Sequence, residues 1–463
     1  MKNRFMALCV LAALVATSCG SRLDEQELAA GGGSGSPAVQ QPTTPGGTPT
    51  GPEGPAFGTL AAPCRPAEGD APAPTKGEVP GVSADTITIG VISDKAGVVK
   101  VPTVSVEESV KAFVDWCNDL GGINGRTLSL KTYDAKLTAG DEAAKQACSD
   151  DLFALVGTGV VMDDKVAEVV VGCGLPNVAA YTATAKMALA DLMVTPLPNP
   201  TNTFNTAPGR WIAEQHPDAI EKAAILASNL PTATVQADRI QAAYEQAGFE
   251  FVYRKNTEII QTSYAAEVSE MKAKGVEYVT MVSATSETTK LLKDMEMADF
   301  APEVVDLGQQ YYDPELLAEP GAEGALVQSN TVPFEDADAV PALQQFLDAY
   351  DAVGTKVQAA SLGVQAFSAG LLFAVAADAA GDDLSRDTLM AELKGIHEWD
   401  GGGLHYTADP GANRSSTCFV YLRVEGGEFV RSFPEEAGAF ECGEPSVVVD
   451  LGSDYGGGAK AGS

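Results

Sequence analysis

The chain contains three histidines, His216, His397 and His405, and no two of them stand at zinc-ligand spacing. No metal or cofactor is therefore expected. The sequence also has no Gly-x-Ser-x-Gly elbow, no phosphate loop ending in Lys and Ser or Thr, and no His-Glu-x-x-His helix. Those are the patterns that set up nucleophilic, phosphoryl-transfer or zinc chemistry. Paired carboxylates do not discriminate, because 63 acidic residues put acids near one another by number alone. No residue is assigned as catalytic, and an enzyme is not expected. What remains is recognition by hydrogen bonding. Polar and aromatic residues suited to it follow runs of strand-forming residues: Ser93, Asp134, Thr158, Gly159, Ala180, Tyr181 and Thr182 early in the chain, and Ser283, Gln310 and Tyr311 later. In open α/β sheets the crevice outside the carboxyl ends of the strands is where ligands bind. Any one of these groups is also an ordinary solvated loop residue, so the set carries the reading.

The elements that must position these loops alternate. Thr86 to Ile92 has the composition of a buried strand, and Val106 to Leu120 carries apolar Val110, Phe113, Val114 and Cys117 at helical spacing. A strand over 126–133, a helix over 141–150, a strand over 153–157, a helix over 163–172 and a strand over 176–180 follow. The same grammar restarts near Lys222, with strands expected over 223–228, 249–254, 278–283 and 304–307. Three helical stretches (341–353, 362–379 and 386–394) precede a β-rich ending centred on Cys418 to Val424. Strands alternating with helices of ten to fifteen residues predict βαβ units and parallel sheets.

The net charge of −33 over 463 residues argues against nucleic acid or anionic lipid surfaces as partners, since phosphate neutralisation needs clustered Lys and Arg. At the N-terminus Lys2 and Arg4 precede an apolar run, Met6 to Val15, and Ala16-Thr17-Ser18-Cys19 follows. This is the form of a secretory signal. A cysteine after small residues also resembles the lipobox of bacterial lipoproteins, in which Cys19 would be the lipidated N-terminus after removal of 1–19. The alternative is a plain secretory signal cut near Ser18. Residues 20–85, rich in Gly, Pro, Ser and Thr, are expected to be a disordered tether reaching roughly 40 Å from the lipid. Residues 446–463 are expected to be a loose tail. The apolar stretch around Leu362 to Ala377 contains Gln365 and Ser368 and reads as a buried helix rather than a membrane span.

The strand Ile87-Thr88-Ile89-Gly90-Val91, the helix after it, the turn Gly121-Gly122-Ile123-Asn124-Gly125-Arg126, the strand ending Tyr133-Asp134, and Phe153-Ala154-Leu155-Val156-Gly157 resemble the type I periplasmic binding proteins. The nearest branch is the leucine/amide-binding (branched-chain amino acid) solute-binding proteins of ABC importers. That resemblance covers about 86 to 445. It implies an α/β fold of two doubly wound parallel-sheet lobes joined by a three-crossing hinge: 86–204 with 333–398 as lobe one, 205–332 with 399–445 as lobe two. It further implies a monomer that is anchored outside the cytoplasmic membrane, captures a small solute and delivers it to an ABC permease. A sensory lipoprotein of the same fold, uncoupled from transport, is the alternative.

Members that hold an α-amino acid place hydroxyls after the third strand and an acid at the end of a lobe-two strand. Here the first stretch is Gly159-Val160-Val161-Met162-Asp163-Asp164 and the second Gln309-Gln310. Asp163 and Asp164 read as helix N-caps that repel a carboxylate. A neutral or cationic ligand is expected, hydrogen-bonded by Gln310, Thr158 and Ser283 and flanked by Tyr181 and Tyr311. Six cysteines remain beyond the signal. With strand order 2-1-3-4 and right-handed crossovers, the second and third helices share a face, so Cys148 can meet Cys173. Cys64 with Cys117 and Cys418 with Cys442 complete the expected disulfides, with Cys117–Cys148 as the competing pair.

Overall fold

The computed structural model describes residues 54–451 apart from 70, 71, 73, 74, 98–102 and 450. The signal, Cys19 and most of the expected tether lie outside these residues. Lobe one is built on strands β1 (Thr86–Ser93), β2 (Thr127–Asp134), β3 (Ala154–Val156), β4 (Asn177–Val178) and β5 (Met193–Val194), all parallel in the order β2-β1-β3-β4-β5. Helices α1 (Val104–Asp119), α2 (Gly140–Ser149) and α3 (Asp164–Gly172) connect them. Between α1 and β2, Gly121 and Gly122 adopt φ of +104° and +76°, and a Cβ on Gly122 would lie 2.0 Å from the Arg126 carbonyl oxygen. Only glycine lets the helix stop and the strand start within that span.

Lobe two carries β6 (Ala223–Ser228), β7 (Phe251–Thr257), β8 (Tyr278–Val282), β9 (Val304–Leu307) and β10 (Leu326–Ser329), with helices α4 (Ala207–Gln215), α5 (Pro231–Glu245), α6 (Ala265–Lys274) and α7 (Thr285–Met297). The chain then supplies α8 (Pro341–Ala352), α9 (Ser361–Ala380) and α10 (Arg386–Lys394) to lobe one. It ends with β11 (Cys418–Glu425) and β12 (Glu428–Phe433) in lobe two. The lobe-two order is β7-β6-β8-β9-β10-β11-β12, parallel as far as β10 and antiparallel beyond it. The chain passes between the layers three times. Trp399 and Leu404 still pack in the lobe-one core, so the third passage lies beyond 404 rather than at 398.

Helix α9 is long and apolar enough to cross a membrane by length and composition, but 83% of its most apolar window is buried inside the protein. It is a core helix. Gly370 lets it approach α1, since a Cβ there would lie 2.4 Å from the Phe113 ring.

The three expected disulfides, Cys64–Cys117, Cys148–Cys173 and Cys418–Cys442, are all present. Two boundaries are corrected. Part of the expected tether is folded, since Ala56–Phe57 and Leu60–Ala61 form a small hairpin. Phe57 is fully buried against Trp116 and Phe367. A Gly/Pro-rich composition concealed this one aromatic anchor. At the other end Val447–Val448 pairs with Thr203–Phe204 and Val449 is buried, so the segment through 449 is docked rather than loose.

Candidate ligand-binding cavity

A cavity of about 360 Å³ lies between the lobes. The loops after β1, β3 and β4 bound it on one side, and those after β6, β8 and β9 on the other. Of the residues expected from the sequence, Tyr181, Thr182, Ser283 and Gln310 are on its wall. Ser93, Asp134, Thr158, Gly159, Ala180 and Tyr311 are not among its lining residues.

Those off the wall have definable roles. The Asp134 carboxylate accepts the backbone N–H groups of Lys95 and Lys136 at 3.0 and 2.9 Å, which ties two lobe-one loops together. A Cβ on Gly159 would lie 2.8 Å from the Tyr181 ring, so this glycine makes room for the tyrosine. The Ala180 N–H donates to the Thr158 carbonyl at 2.9 Å. The Tyr311 hydroxyl accepts from the Ser283 N–H at 2.9 Å and donates to the Met281 carbonyl at 2.9 Å. It braces the Ser283 loop from behind instead of flanking a ligand, because 309–311 folds into a 3₁₀ turn. Burial pushes its hydroxyl up to about 12. The hydroxyls of Ser93, Thr158 and Thr182 are buried and without a partner among the described residues.

The aspartates expected as N-caps of α3 behave differently. Asp163 makes no side-chain cap to its own helix. Its carboxylate accepts from the Ala183 N–H at 2.7 Å, the Thr184 N–H at 3.0 Å and the Thr184 hydroxyl at 2.5 Å. It thereby fixes the loop that carries Tyr181 and Thr182, and burial pushes its pKa up to about 7. Asp94 accepts from the N–H groups of Leu137 and Val161 at 2.6 and 2.8 Å, both cavity-lining residues.

The larger omission from sequence reasoning is in lobe two. The cavity extends beneath α4 and α5, past Phe204, Pro208, Ile240 and Tyr244, to Asp306 and Gln328. The Asp306 carboxylate accepts from the Tyr278 hydroxyl at 2.7 Å, the Tyr421 hydroxyl at 3.1 Å and the Gln328 amide at 3.0 Å. Burial pushes its pKa up. One signal was available: an aspartate inside the otherwise apolar strand Val304–Leu307. Arg239, also buried, donates to the carbonyls of Pro200 and Thr203 at 2.9 and 2.8 Å, so its charge is spent on the first interlobe passage. Among the described residues no Lys, Arg or His lines the cavity, and Asp306 is its one carboxylate.

Two α/β lobes around a shared, amide-rich and apolar cavity define a two-lobed solute-binding class. The chain belongs to the periplasmic binding protein family, whose model matches residues 86–428. No curated protein matches it. Solved structures share the fold at low identity. A fatty acid ABC transporter substrate-binding protein from Thermomonospora curvata is 15% identical, with a TM-score of 0.64 over 81% of this chain and 95% of that one. The branched-chain amino acid transporter substrate binding protein of Streptococcus pneumoniae, in complex with isoleucine, is 16% identical with a TM-score of 0.62 over 75% and 100%. A solute binding protein of R. palustris, in complex with benzoate, is 16% identical with a TM-score of 0.63 over 79% and 98%.

Proposed function

We propose that this protein is the extracytoplasmic solute-binding lipoprotein of an ABC importer, anchored through Cys19, which captures a small solute as a monomer and hands it to a membrane permease. The observation that carries this reading is a cavity bounded by both lobes at the carboxyl ends of their strands. Lobes joined by several chain passages close on a ligand by hinge motion. The protein binds its solute without transforming it: the walls offer amides, hydroxyls, apolar side chains and the one carboxylate of Asp306, groups that hold a molecule in place. Ser93, Asp134, Thr158, Gly159, Ala180 and Tyr311 support this wall, while Tyr181, Thr182, Ser283 and Gln310 meet the ligand.

The solute is neutral or cationic. Gln309, Gln310, Gln328 and Gln365 line the cavity, and a zwitterion finds no basic side chain there among the described residues. The similar proteins named above bind isoleucine, benzoate or, by name, fatty acids, which supports a small molecule with an apolar body.

A thermal-shift screen of the full chain tests this, running leucine, isoleucine and valine beside amides, polyamines and small aromatic compounds. A ligand at a hundredfold its dissociation constant adds about 2.7 kcal/mol. The expected result is a raised midpoint with neutral or cationic compounds. A rise confined to the branched amino acids would return the ligand to zwitterions, and a blank screen would overturn the importer assignment.

A further inference from the structure

The lobe-two arm of the cavity has its own chemistry. It runs between α4 and α5 on one side and the sheet on the other, walled by Phe204, Pro208, Ile240 and Tyr244 and floored by Asp306. Asp306 is 2% exposed. All three groups that hydrogen-bond it, Tyr278, Tyr421 and Gln328, are neutral donors, and no cationic nitrogen lies within 4.0 Å of it among the described residues. A carboxylate taken out of water is costly unless a counter-charge accompanies it. Neutral donors offset only part of that cost. The Gln328 amide reaches both carboxylate oxygens, at 3.0 and 3.2 Å, so each oxygen accepts two hydrogen bonds, matching the roughly four lone-pair directions of a carboxylate. What Asp306 lacks among the described residues is a counter-charge, and it lines the cavity. At the lobe-one end Thr182, 4% exposed, lines the same cavity with its hydroxyl unpartnered. The space therefore holds a buried carboxylate without a counter-charge, an unpartnered hydroxyl, and apolar walls along the lobe-two arm.

We infer that the solute is an organic cation with an apolar body, its protonated amine paired with Asp306 and its hydrocarbon or aromatic part filling the arm. This rests on the solute-binding reading of the same cavity and narrows it. The raised pKa of Asp306 has burial as its largest cause, the penalty that an arriving ammonium relieves. A protonated or merely structural Asp306 would leave the site indifferent to ligand charge.

Three probes of matched shape decide the matter by calorimetry on the full chain: 2-phenylethylamine, 2-phenylethanol and 3-phenylpropanoate. The amine is expected to bind at least about tenfold more tightly than the alcohol, with the carboxylate weakest. Asp306→Asn should remove the amine's advantage and leave the alcohol within about threefold of its wild-type affinity. The wild-type ranking stands on its own if that variant folds poorly. An alcohol or carboxylate that equals the amine, or an Asp306→Asn protein that keeps the preference, would overturn the inference. So would silence from all three probes. The broader solute-binding reading then falls only if the thermal-shift screen is blank as well.

Discussion

The side-chain amide of Gln365, on lobe-one helix α9, donates to the side-chain oxygen of Gln309 in lobe two at 3.0 Å, and both residues line the cavity. The lobes thus touch across the site itself. A net contribution of about 0.5–1.5 kcal/mol is typical of such a neutral bond, enough to bias a hinge whose two states lie close in energy. Gln365→Leu should therefore favour the open form. Small-angle scattering of the unliganded variant is expected to show a larger radius of gyration, and affinity for any solute that closes the lobes should fall roughly threefold to tenfold. Unchanged scattering and affinity would mean that this bond does not hold the lobes.

Phe57 predicts a stability effect far from the cavity. Its ring lies 5.5 Å from Trp116 and 5.1 Å from Phe367, centroid to centroid, and the nearby Cys64–Cys117 bond fastens the same segment to α1. Phe57→Ala leaves a void in the lobe-one core, and such changes cost about 3–5 kcal/mol. Denaturant titration should show a lower midpoint with an unchanged slope. A chain beginning at residue 86 should melt well below one beginning at residue 54. Equal midpoints would show that the hairpin only rests on the surface.

That segment also marks where sequence reasoning stopped. Period and composition located the lobe-one strands, and strand order with crossover handedness then brought Cys148 and Cys173 together, because those features are local or follow from topology. Phe57 is a single aromatic in a run otherwise poor in large apolar residues, and nothing local says that it docks onto α1 and α9. The Asp306 arm was invisible for a related reason. Its walls come from Phe204, α4, α5, β8, β9 and β10, and Asp306 at its floor is held by Tyr421, 115 residues further along the chain. Tyr311 was placed on the right turn but the wrong side of it, since a 3₁₀ turn and an extended loop differ in which way the side chain leaves.

Asp336 and Arg431 tie the second interlobe passage to the lobe-two sheet. Their side chains are 5% and 8% exposed, and the Arg431 Nε donates to both Asp336 oxygens at 3.1 and 2.9 Å. Removing one partner of a buried pair strands the other charge at a cost of about 3–5 kcal/mol. Asp336→Ala and Arg431→Met should each lower stability by that order. The double variant should lose less than the sum, because neither charge is left alone. An additive double-mutant cycle by urea unfolding would show that the pair is not coupled.

Two buried groups set opposing pH dependences. His405 is buried, its Nδ1–H donating to the Tyr406 carbonyl at 2.8 Å and its Nε2 accepting from the Ser368 hydroxyl at 2.8 Å. Burial pushes its pKa down to about 4 from 6.5. Between those values the unfolded chain binds a proton that the folded one does not, so this group makes stability rise with pH and is fully favourable only above the unfolded value. Asp163 acts in the other direction. Its pKa is pushed up to about 7 from 3.8, so the folded state holds a proton that the unfolded state releases. Its contribution is complete below the unfolded value and is lost as pH rises through the folded one. Across the shared window, about pH 4 to 6.5, each group changes stability by about 1.4 kcal/mol per pH unit, with opposite signs. Urea unfolding across that window should find Asp163→Asn with a more positive slope of stability against pH than the wild type, and His405→Gln with a more negative one. The double variant should return close to the wild-type slope, since it removes both effects. Parallel curves for all four proteins would show that neither group titrates differently in the folded and unfolded states.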